Sequence, residues 1–340
     1  MLNKQLTACL FHTQIPGKEY NFEGDQMEQN TMINKTNMKK PGFKLNRAKN
    51  DRIYAWALTL PALLVLAVTI FIPMLQVLRM SMYSYSMFDL NNIVWNNFEN
   101  FTSVLRDKEF IESFERTLLY VFSTVIISFV IGLLSAILLN SPIKGRNIFR
   151  GVLFLPWAIP TVVAAVLWMW LYQPQYGVLN YILNQLHIVD KNINWLGQTN
   201  TAMGSIVIAA VWRQMPLMMV MLLSALQTVP KELEEAAIID GANWFQSFRN
   251  VTIPCIMSVI KSVTLTSVVT NFQMFGFFFT MTNGGPVNST TTLTLYTYQK
   301  AFMEFDMGKG SAIGVIWLAF LIVFAAAYNK ILGKMEVNSD

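Results

Sequence analysis

The sequence predicts an all-α, polytopic membrane protein with about six transmembrane helices. Hydrophobic residues make up 54% of its 340 residues and charged residues 13%, whereas a soluble domain carries roughly 25% charged residues. Six apolar segments reach the roughly 20 residues that a membrane-spanning helix requires, and segments of that length cross a bilayer as helices. These segments are residues 54–78, 118–139, 152–172, 202–226, 256–279 and 312–332.

Lysine and arginine residues set the predicted orientation of these helices. If the N-terminus is inside, the inner segments contain 17 lysines and arginines and the outer segments 7. Because basic residues accumulate on the cytoplasmic side of membrane proteins, both termini are expected in the cytoplasm. The formal net charge of +5 reflects this bias. No basic stripe interleaved with aromatic residues predicts nucleic-acid binding.

The first 50 residues differ in composition from the rest of the chain. Residues 1–50 are polar, rich in Asn, Lys and Gln, and lack an apolar segment of signal-peptide length. We expect a disordered cytoplasmic tail here, followed by a transmembrane domain over residues 51–335. Met27, Met32 and Met38 are alternative translation starts.

The sequence predicts neither a metal site nor a catalytic site. Its cysteines and histidines are Cys9, Cys255, His12 and His187, and both cysteines fall on the predicted cytoplasmic side, where thiols stay reduced. The predicted spans contain no Ser-His pair, paired aspartates or HExxH motif for hydrolysis. The chain also lacks a phosphate-binding GxxxxGK[ST] loop. We therefore expect a protein that is not itself an enzyme.

The segments between the spans carry their own signals. Residues 79–117 contain an acidic stretch and predict a short interfacial helix that enters the second span. Residues 140–150 predict a tight basic inner turn, and residues 173–201 a polar-aromatic outer loop. In the outer loop 280–311, Gly284, Gly285 and Pro286 give a strong turn signal.

The most informative segment is the polar break between the fourth and fifth spans, residues 227–254, called here the Glu235 loop. Pro230 suits the first turn of a helix, and Glu232 and Glu235 place negative charge near the positive end of its dipole. Gly241 can take the left-handed conformation that ends a helix.

One face of this predicted helix carries Leu233, Ala236, Ala237 and Asp240 at helical spacing, and its two alanines let another backbone approach closely. Helices that lie in lipid headgroups usually present Lys and Arg on the polar face, whereas this helix presents glutamate. An anionic inner leaflet repels such a helix, which favours a protein partner.

The loop resembles the EAA loop of ATP-binding-cassette (ABC) importer permeases. The resemblance is carried by a Glu, two Ala and a Gly at the family spacing, followed by Val251 and an Ile-Pro step at residues 253–254. It implies the type I importer permease fold, with a cytoplasmic coupling helix that inserts into a P-loop ATPase. The coupling residues that it implies are Glu232, Glu235, Ala236, Ala237, Asp240, Gly241 and Pro254.

The resemblance covers nearly all of residues 50–335. Within the family it is to the carbohydrate-uptake branch, and there to the subunit type related to maltose F and glycerol-3-phosphate A proteins. Matching segments are residues 100–101, 155–160, 177–180, 226–233 and 282–286. This resemblance implies a heteromeric complex in a bacterial cytoplasmic membrane. The implied partners are a second permease subunit, an ATPase dimer that uses ATP-Mg, an extracytoplasmic solute-binding protein and a sugar substrate. No cofactor is expected on this chain itself.

Polar residues inside the spans are candidates for the substrate path. Arg213 lies about 11 residues from each end of the fourth span, roughly 16 Å at 1.5 Å per residue, where a charge normally faces a cavity or a partner. Asn271, Gln273 and Phe275 offer amides and an aromatic face for a sugar. Asn271 and Gln273 lie about 200° apart on a helix. Both cannot face one pore, so we expect one of them to form an inter-helix hydrogen bond.

Three alternatives remain open. Arg213 could instead be paired structurally at a subunit interface, or the fourth span could start later. The cargo could be glycerol phosphate or another polyol, because Arg213 suits a phosphate. An ion-coupled secondary transporter needs an intramembrane acid or Lys. The predicted spans contain no Asp or Glu, and their lysines, Lys261 and Lys330, lie near the predicted cytoplasmic ends of the fifth and sixth spans.

Overall fold

A computed structural model describes residues 44–89, 91 and 93–337, and within them the all-α prediction is confirmed. The helices are α1 (Lys44–Leu66), α2 (Ile72–Met80), α3 (Glu99–Arg106), α4 (Lys108–Asn140), α5 (Arg146–Ala158), α6 (Thr161–Leu171), α7 (Val178–Gln185), α8 (Ala202–Leu226), α9 (Lys231–Ile239), α10 (Trp244–Ser247), α11 (Ile253–Phe272), α12 (Gly276–Met281), α13 (Leu293–Tyr298) and α14 (Met307–Val337). Single π-helical turns follow α1, α10 and α13, at Ala67–Phe71, Phe248–Thr252 and Gln299–Met303.

Most of the first span belongs to a separate structural unit. The pattern of contacts between residues divides the chain into two units, with a boundary between residues 76 and 77. The described part of this unit holds α1, the π-helical turn after it and the start of α2. The apolar segment Tyr54–Met80, most of which lies in this unit, is long enough to cross a membrane. Helix α1 begins at Lys44 and so includes residues 44–50, which the sequence assigned to the end of the tail. The rest of the predicted tail lies outside the described residues.

The second unit, described from residue 77 onward, is built around α4 and α8, which pack along each other more extensively than any other pair of helices. Small residues let the two backbones approach: Ala209 and Ala210 are fully buried on α8. A Cβ added at Gly132 on α4 would lie 3.3 Å from the backbone nitrogen of Met219. Close contact at small residues is the usual way that helices associate in a bilayer.

The third predicted span is broken rather than continuous. Helices α5 and α6 meet at an angle of 98°, and extended backbone at Ile159 and Pro160 separates them. The reason is local, since proline disfavours helical backbone at the residue before it. The prediction of a single helix over 152–172 was wrong in this respect, and the break leaves a backbone carbonyl without an intrahelical partner.

Two other spans differ from their predicted bounds. Helix α4 starts at Lys108 rather than near residue 118, because the Asp107 side chain caps it by accepting from the Glu109 N–H at 3.0 Å. The fifth span ends at Phe272, and α12 is a separate short helix rather than its continuation to residue 279. The fourth span was predicted correctly as Ala202–Leu226.

The segment between the first two spans contains a feature that the sequence did not predict. A two-residue strand β1 (Tyr83–Ser84) pairs antiparallel with β2 (Val94–Trp95). The Asn100 side chain donates to the backbone carbonyls of Ser81 and Tyr83, both at 2.9 Å. The predicted interfacial helix in this segment is α3, which ends before α4 begins.

Candidate functional site

Helix α9 begins the Glu235 loop with an exposed acidic surface. Pro230 is its N-cap, and its backbone carbonyl accepts from the Leu233 N–H at 3.3 Å. The carboxylates of Glu232, Glu235 and Asp240 are exposed, as is that of Glu234. Negative charge in the first turn stabilises the helix through its dipole, but the exposed carboxylates leave most of their hydrogen-bonding capacity to a partner or to water.

Gly241 ends α9 as predicted. Its φ of +83° is left-handed, its N–H donates to the Ile238 carbonyl at 3.0 Å, and the Ala242 N–H donates to the Ala237 carbonyl at 2.9 Å. These two bonds define a Schellman motif. No atom would lie within 4 Å of a Cβ at this glycine, so the backbone conformation alone explains the residue.

A capping box fixes the second half of the loop. The Asn243 side chain accepts from the Gln246 N–H, and the Gln246 side chain accepts from the Asn243 N–H, both at 2.9 Å. The Trp244 ring stacks on the Phe248 ring with centroids 5.4 Å apart. Helix α10 then continues through its π-helical turn into α11, so the loop is a helix–turn–helix attached without a gap to a membrane helix.

The loop also exposes large apolar side chains beside its carboxylates. Ile239 is 86% exposed, and Ile238, Trp244 and Phe245 are each at least 60% exposed. Ala236 and Ala237 are half-buried, and Pro254 is exposed at the start of α11. A cavity of about 390 Å³ lies within the loop. Its lining includes Leu233, Ala237, Asp240, Gly241, Ser247 and Cys255. Contiguous exposed apolar surface rimmed by polar groups marks an interaction site.

A second group of polar residues lies inside the helical bundle. The Arg213 Nε donates to the Ile159 carbonyl at 3.0 Å, across 54 residues of sequence. That carbonyl belongs to the break between α5 and α6, where the following proline ends the helical hydrogen-bonding pattern. Because an unpaired carbonyl at membrane depth costs several kcal/mol, this bond stabilises the broken span.

The amides of Gln214 and Asn271 pair reciprocally between α8 and α11, at 3.0 and 2.8 Å. The Asn271 amide also donates to the Ser267 carbonyl at 2.9 Å. One of the two predicted amides thus forms the expected inter-helix hydrogen bond. Gln273 lies beyond the end of α11 and is exposed. Sequence reasoning missed Gln214, although an amide beside an arginine in an apolar span was its signal.

Arg213 and Gln214 share a cavity of about 110 Å³ with residues of α11. Phe275 lies outside this lining and stacks instead on Phe279, with ring centroids 5.0 Å apart. The structure therefore brings Arg213 and the Gln214–Asn271 pair together, but places Gln273 and Phe275 elsewhere. The lining comprises Trp157, Arg213, Gln214, Leu217, Met218, Met221, Val263, Thr266, Ser267, Thr270 and Met274.

The predicted turn at Gly284, Gly285 and Pro286 is present. Gly284 has a φ of +88°, and a Cβ there would lie 2.5 Å from the Thr291 hydroxyl. The Thr290 hydroxyl donates to the Gly285 carbonyl at 2.8 Å. The glycine is thus required both by its backbone conformation and by close packing, which ties the turn to the Thr-rich run after it.

Comparison with known proteins decides the family. Residues 111–336 match the family described as the binding-protein-dependent transport system inner membrane component. The chain belongs to this family. Both the Glu235 loop and the polar residues around Arg213 lie within the matched region.

Relatives of the permease share about a third of its residues along most of their length. The trehalose/maltose transport system permease protein MalF of Thermococcus litoralis is 32% identical over 276 residues, which cover 81% of this chain and 92% of the relative. The sulfoquinovosyl glycerol transport system permease protein SmoG of Agrobacterium fabrum is 32% identical, covering 90% and 99%. The sn-glycerol-3-phosphate transport system permease protein UgpA of Brucella abortus is 30% identical, covering 84% and 96%.

The fold of the permease is also found in a solved structure. A chain of a bacterial ABC transporter involved in the import of the acidic polysaccharide alginate superposes with a TM-score of 0.74. The match covers 85% of this chain and 98% of that one, at 19% identity. The predicted importer permease fold and multi-pass architecture are therefore confirmed.

Proposed function

We propose that the permease is a transmembrane subunit of an ABC importer that moves a sugar or oligosaccharide across a bacterial cytoplasmic membrane by ATP-driven alternating access. The observation that carries this proposal is the Glu235 loop, a rigid helix–turn–helix with exposed carboxylates and exposed apolar side chains. A partner with an apolar groove and a basic rim fits that surface.

The attachment of the loop supports a coupling role. Helix α10 runs into α11 through helical backbone, and the Thr252 hydroxyl bonds the Glu234 carboxylate at 3.4 Å. At its far end, α11 bonds α8 through Asn271 and Gln214. A displacement imposed on the loop by a partner would therefore move α11 against α8 and reshape the cavity between them.

The proposed complex assigns ATP hydrolysis to partner subunits. A P-loop ATPase dimer binds and hydrolyses ATP-Mg and receives the Glu235 loop, with Glu232, Glu235, Ala236, Ala237 and Gly241 at the contact. A second permease subunit completes the membrane domain, and an extracytoplasmic solute-binding protein delivers the cargo. The excess of Lys and Arg in the predicted inner segments supports a cytoplasmic location for the loop and for both termini.

The cargo is proposed from the relatives. Their names give trehalose and maltose, a sulfoquinovosyl glycerol and sn-glycerol-3-phosphate, which are sugars or small polyol derivatives. A glycerol phosphate or another polyol is therefore the second candidate, and the presence of Arg213 in the interior cavity favours it.

A pull-down tests the complex. The permease is purified in mild detergent from its native membrane, and co-purifying proteins are identified by mass spectrometry. We expect a second permease, a P-loop ATPase and a solute-binding protein. Glu235→Arg should remove the ATPase, because it replaces one of the exposed carboxylates of the docking helix with a positive charge.

The matched control reverses the charge of another exposed glutamate, Glu99, at the start of α3. Glu99→Arg should leave the ATPase bound. Recovery of the permease alone, or loss of the ATPase in both variants, would contradict the proposed role of the loop.

A further inference from the structure

The cavity between α8 and α11 holds a positive charge without a counter-ion. Its lining contains Arg213 and no Asp or Glu. Among the residues that the structure describes, Arg213 forms one hydrogen bond, to the Ile159 carbonyl, and no ion pair. An arginine at this depth costs at least about 2.5 kcal/mol, so a charge with only a backbone partner marks a functional site.

The single hydrogen bond orients the guanidinium but does not occupy it. Arginine has five N–H donors in a planar fork, and Nε carries one of them. The bond to Ile159 therefore uses the donor nearest the side-chain stem and leaves both terminal NH₂ groups available. These groups match the two oxygens of a carboxylate, phosphate or sulfonate, which bind arginine bidentately.

The rest of the lining suits a charged group attached to a polyol. Thr266, Ser267 and Thr270 bring three hydroxyls from α11 to the cavity. Thr266 and Thr270 donate to backbone carbonyls one turn earlier, both at 2.8 Å, so their oxygens remain acceptors for substrate hydroxyls. The volume of about 110 Å³ exceeds the ~10–15 Å³ that one water requires and accommodates a charged group of several atoms.

We propose that Arg213 binds an anionic group on the cargo, so that the permease carries an acidic sugar or a phosphorylated or sulfonated polyol rather than a neutral sugar. This inference rests on the proposed importer function. Within it, the carboxylate, phosphate and sulfonate share one chemistry, two or three anionic oxygens placed against the free side of the guanidinium.

Uptake by matched variants tests the proposal. A strain lacking this chain is complemented with the native chain, with Arg213→Gln or with Arg213→Lys. Uptake of glycerol 3-phosphate, digalacturonate and a sulfonated sugar glycoside is compared with uptake of maltose and trehalose. Gln retains a donor for the Ile159 carbonyl but carries no charge, whereas Lys retains the charge but not the fork.

We expect the native strain to take up at least one of the anionic compounds. Arg213→Gln should reduce that uptake by roughly 10- to 100-fold, the range for a hydrogen bond to a charged group. Uptake by Arg213→Lys should lie between that of the native chain and that of Arg213→Gln. The ATPase should co-purify equally with the native chain and with both variants. Uptake of neutral sugars alone, or native uptake of an anionic compound by Arg213→Gln, would overturn the proposal.

A chemical probe tests the same site without transport. In membranes carrying the native complex, phenylglyoxal modifies arginines, and peptide mass spectrometry measures the rate at each residue. We expect inorganic phosphate to slow modification of Arg213 but not of Arg249, which is exposed in the Glu235 loop, and glucose to slow neither.

Equal effects of phosphate at the two arginines would overturn the proposal. Failure of the importer assignment shows differently, as absence of the ATPase from the pull-down and loss of ATP dependence of all uptake, with phosphate protection of Arg213 unchanged.

Discussion

Polar groups are exposed in the Glu235 loop but hydrogen-bonded within the protein in the interior cluster, which consists of Arg213, Gln214 and Asn271. The loop presents its carboxylates to the surroundings together with large apolar side chains such as Ile239, which is 86% exposed. The interior cluster pairs its amides with each other and fixes its guanidinium on a backbone carbonyl. The loop thus keeps its carboxylates available to a partner. In the cluster, the two amides satisfy each other and only the terminal NH₂ groups of Arg213 remain available.

Because of this difference, we expect the loop to contribute mainly to association with a partner and the cluster mainly to the stability of the permease. Exposed side chains contribute little to the stability of a chain, so substitutions in the loop should change association with a partner more than they change stability. Paired interior amides hold two helices together, so substitutions there should act first on stability. Substitutions in the two regions therefore test the comparison, through partner association for the loop and through stability for the cluster.

The largest effect is expected at Gly241. Gly241→Val places a β-branched side chain at φ +83°, where left-handed backbone costs an ordinary residue about 1–2 kcal/mol and a β-branched one more. The Schellman turn should open and the two loop helices lose their fixed angle. We expect ATP-dependent uptake to fall at least tenfold, about 1.4 kcal/mol or more, measured as uptake of labelled cargo at equal membrane levels of the complex.

Gly241→Asn is the matched control, because asparagine tolerates left-handed backbone and no atom lies within 4 Å of the added Cβ. This variant should retain uptake close to the native level. Native uptake by Gly241→Val would show that the turn geometry does not transmit coupling.

A smaller effect is expected at the apolar part of the loop. Ile239→Ser removes an apolar side chain that touches little in the permease itself, so the thermal unfolding temperature of the purified chain should not change. If Ile239 enters a groove on the ATPase, its loss should cost about 1–2 kcal/mol of binding free energy, measured as a titration of the ATPase onto the permease.

Val287, which is 90% exposed in the outer loop, provides the control. Val287→Ser removes a similar apolar group at a site remote in sequence from the Glu235 loop and should leave ATPase binding unchanged. A drop in unfolding temperature for Ile239→Ser would mean that this residue supports the fold rather than the partner.

The same contrast explains what could be predicted from the sequence. The features of the Glu235 loop are local: Gly241 ends one helix, Asn243 caps the next, and each is specified by neighbours within a few positions. The interior cluster joins Arg213 to a residue 54 positions away and Gln214 to one 57 positions away. Periodicity places such residues on helices but does not specify which helix faces which, so Gln214 was missed.

Helix boundaries followed a similar rule. The bounds of the fourth span were predicted correctly because neither a proline nor a side-chain cap shifts the ends of the helix. Its Pro216 is accommodated within the helix. The third span was predicted as one segment although the prolines at 156 and 160 were visible. Proline in a membrane helix gives either a tolerated kink or a break. Here the 98° break persists with a hydrogen bond from Arg213, which only the tertiary structure reveals.

The smallest effect is expected in the interior pair. Asn271→Leu leaves the Gln214 amide without its partner, and inter-helix hydrogen bonds in bilayers contribute about 0.6 kcal/mol on average and about 1.7 at most. We expect the free energy of unfolding to fall by about that amount. The fall is measured as a lower unfolding temperature of the permease complex in lipid nanodiscs, with ATPase recovery unchanged. Gln273→Leu, at an exposed amide beyond the end of α11, should shift the temperature less.

The double variant Gln214→Leu/Asn271→Leu decides whether the pair acts as a unit. If each amide serves mainly to satisfy the other, removing both leaves no unpaired group and the double variant should be more stable than the sum of the single losses predicts. Additive losses would instead mean that the two amides act separately, for example by contacting cargo or water in the cavity. The interior cluster would then resemble the loop in keeping its polar groups available to a partner, and the contrast between the two regions would no longer hold.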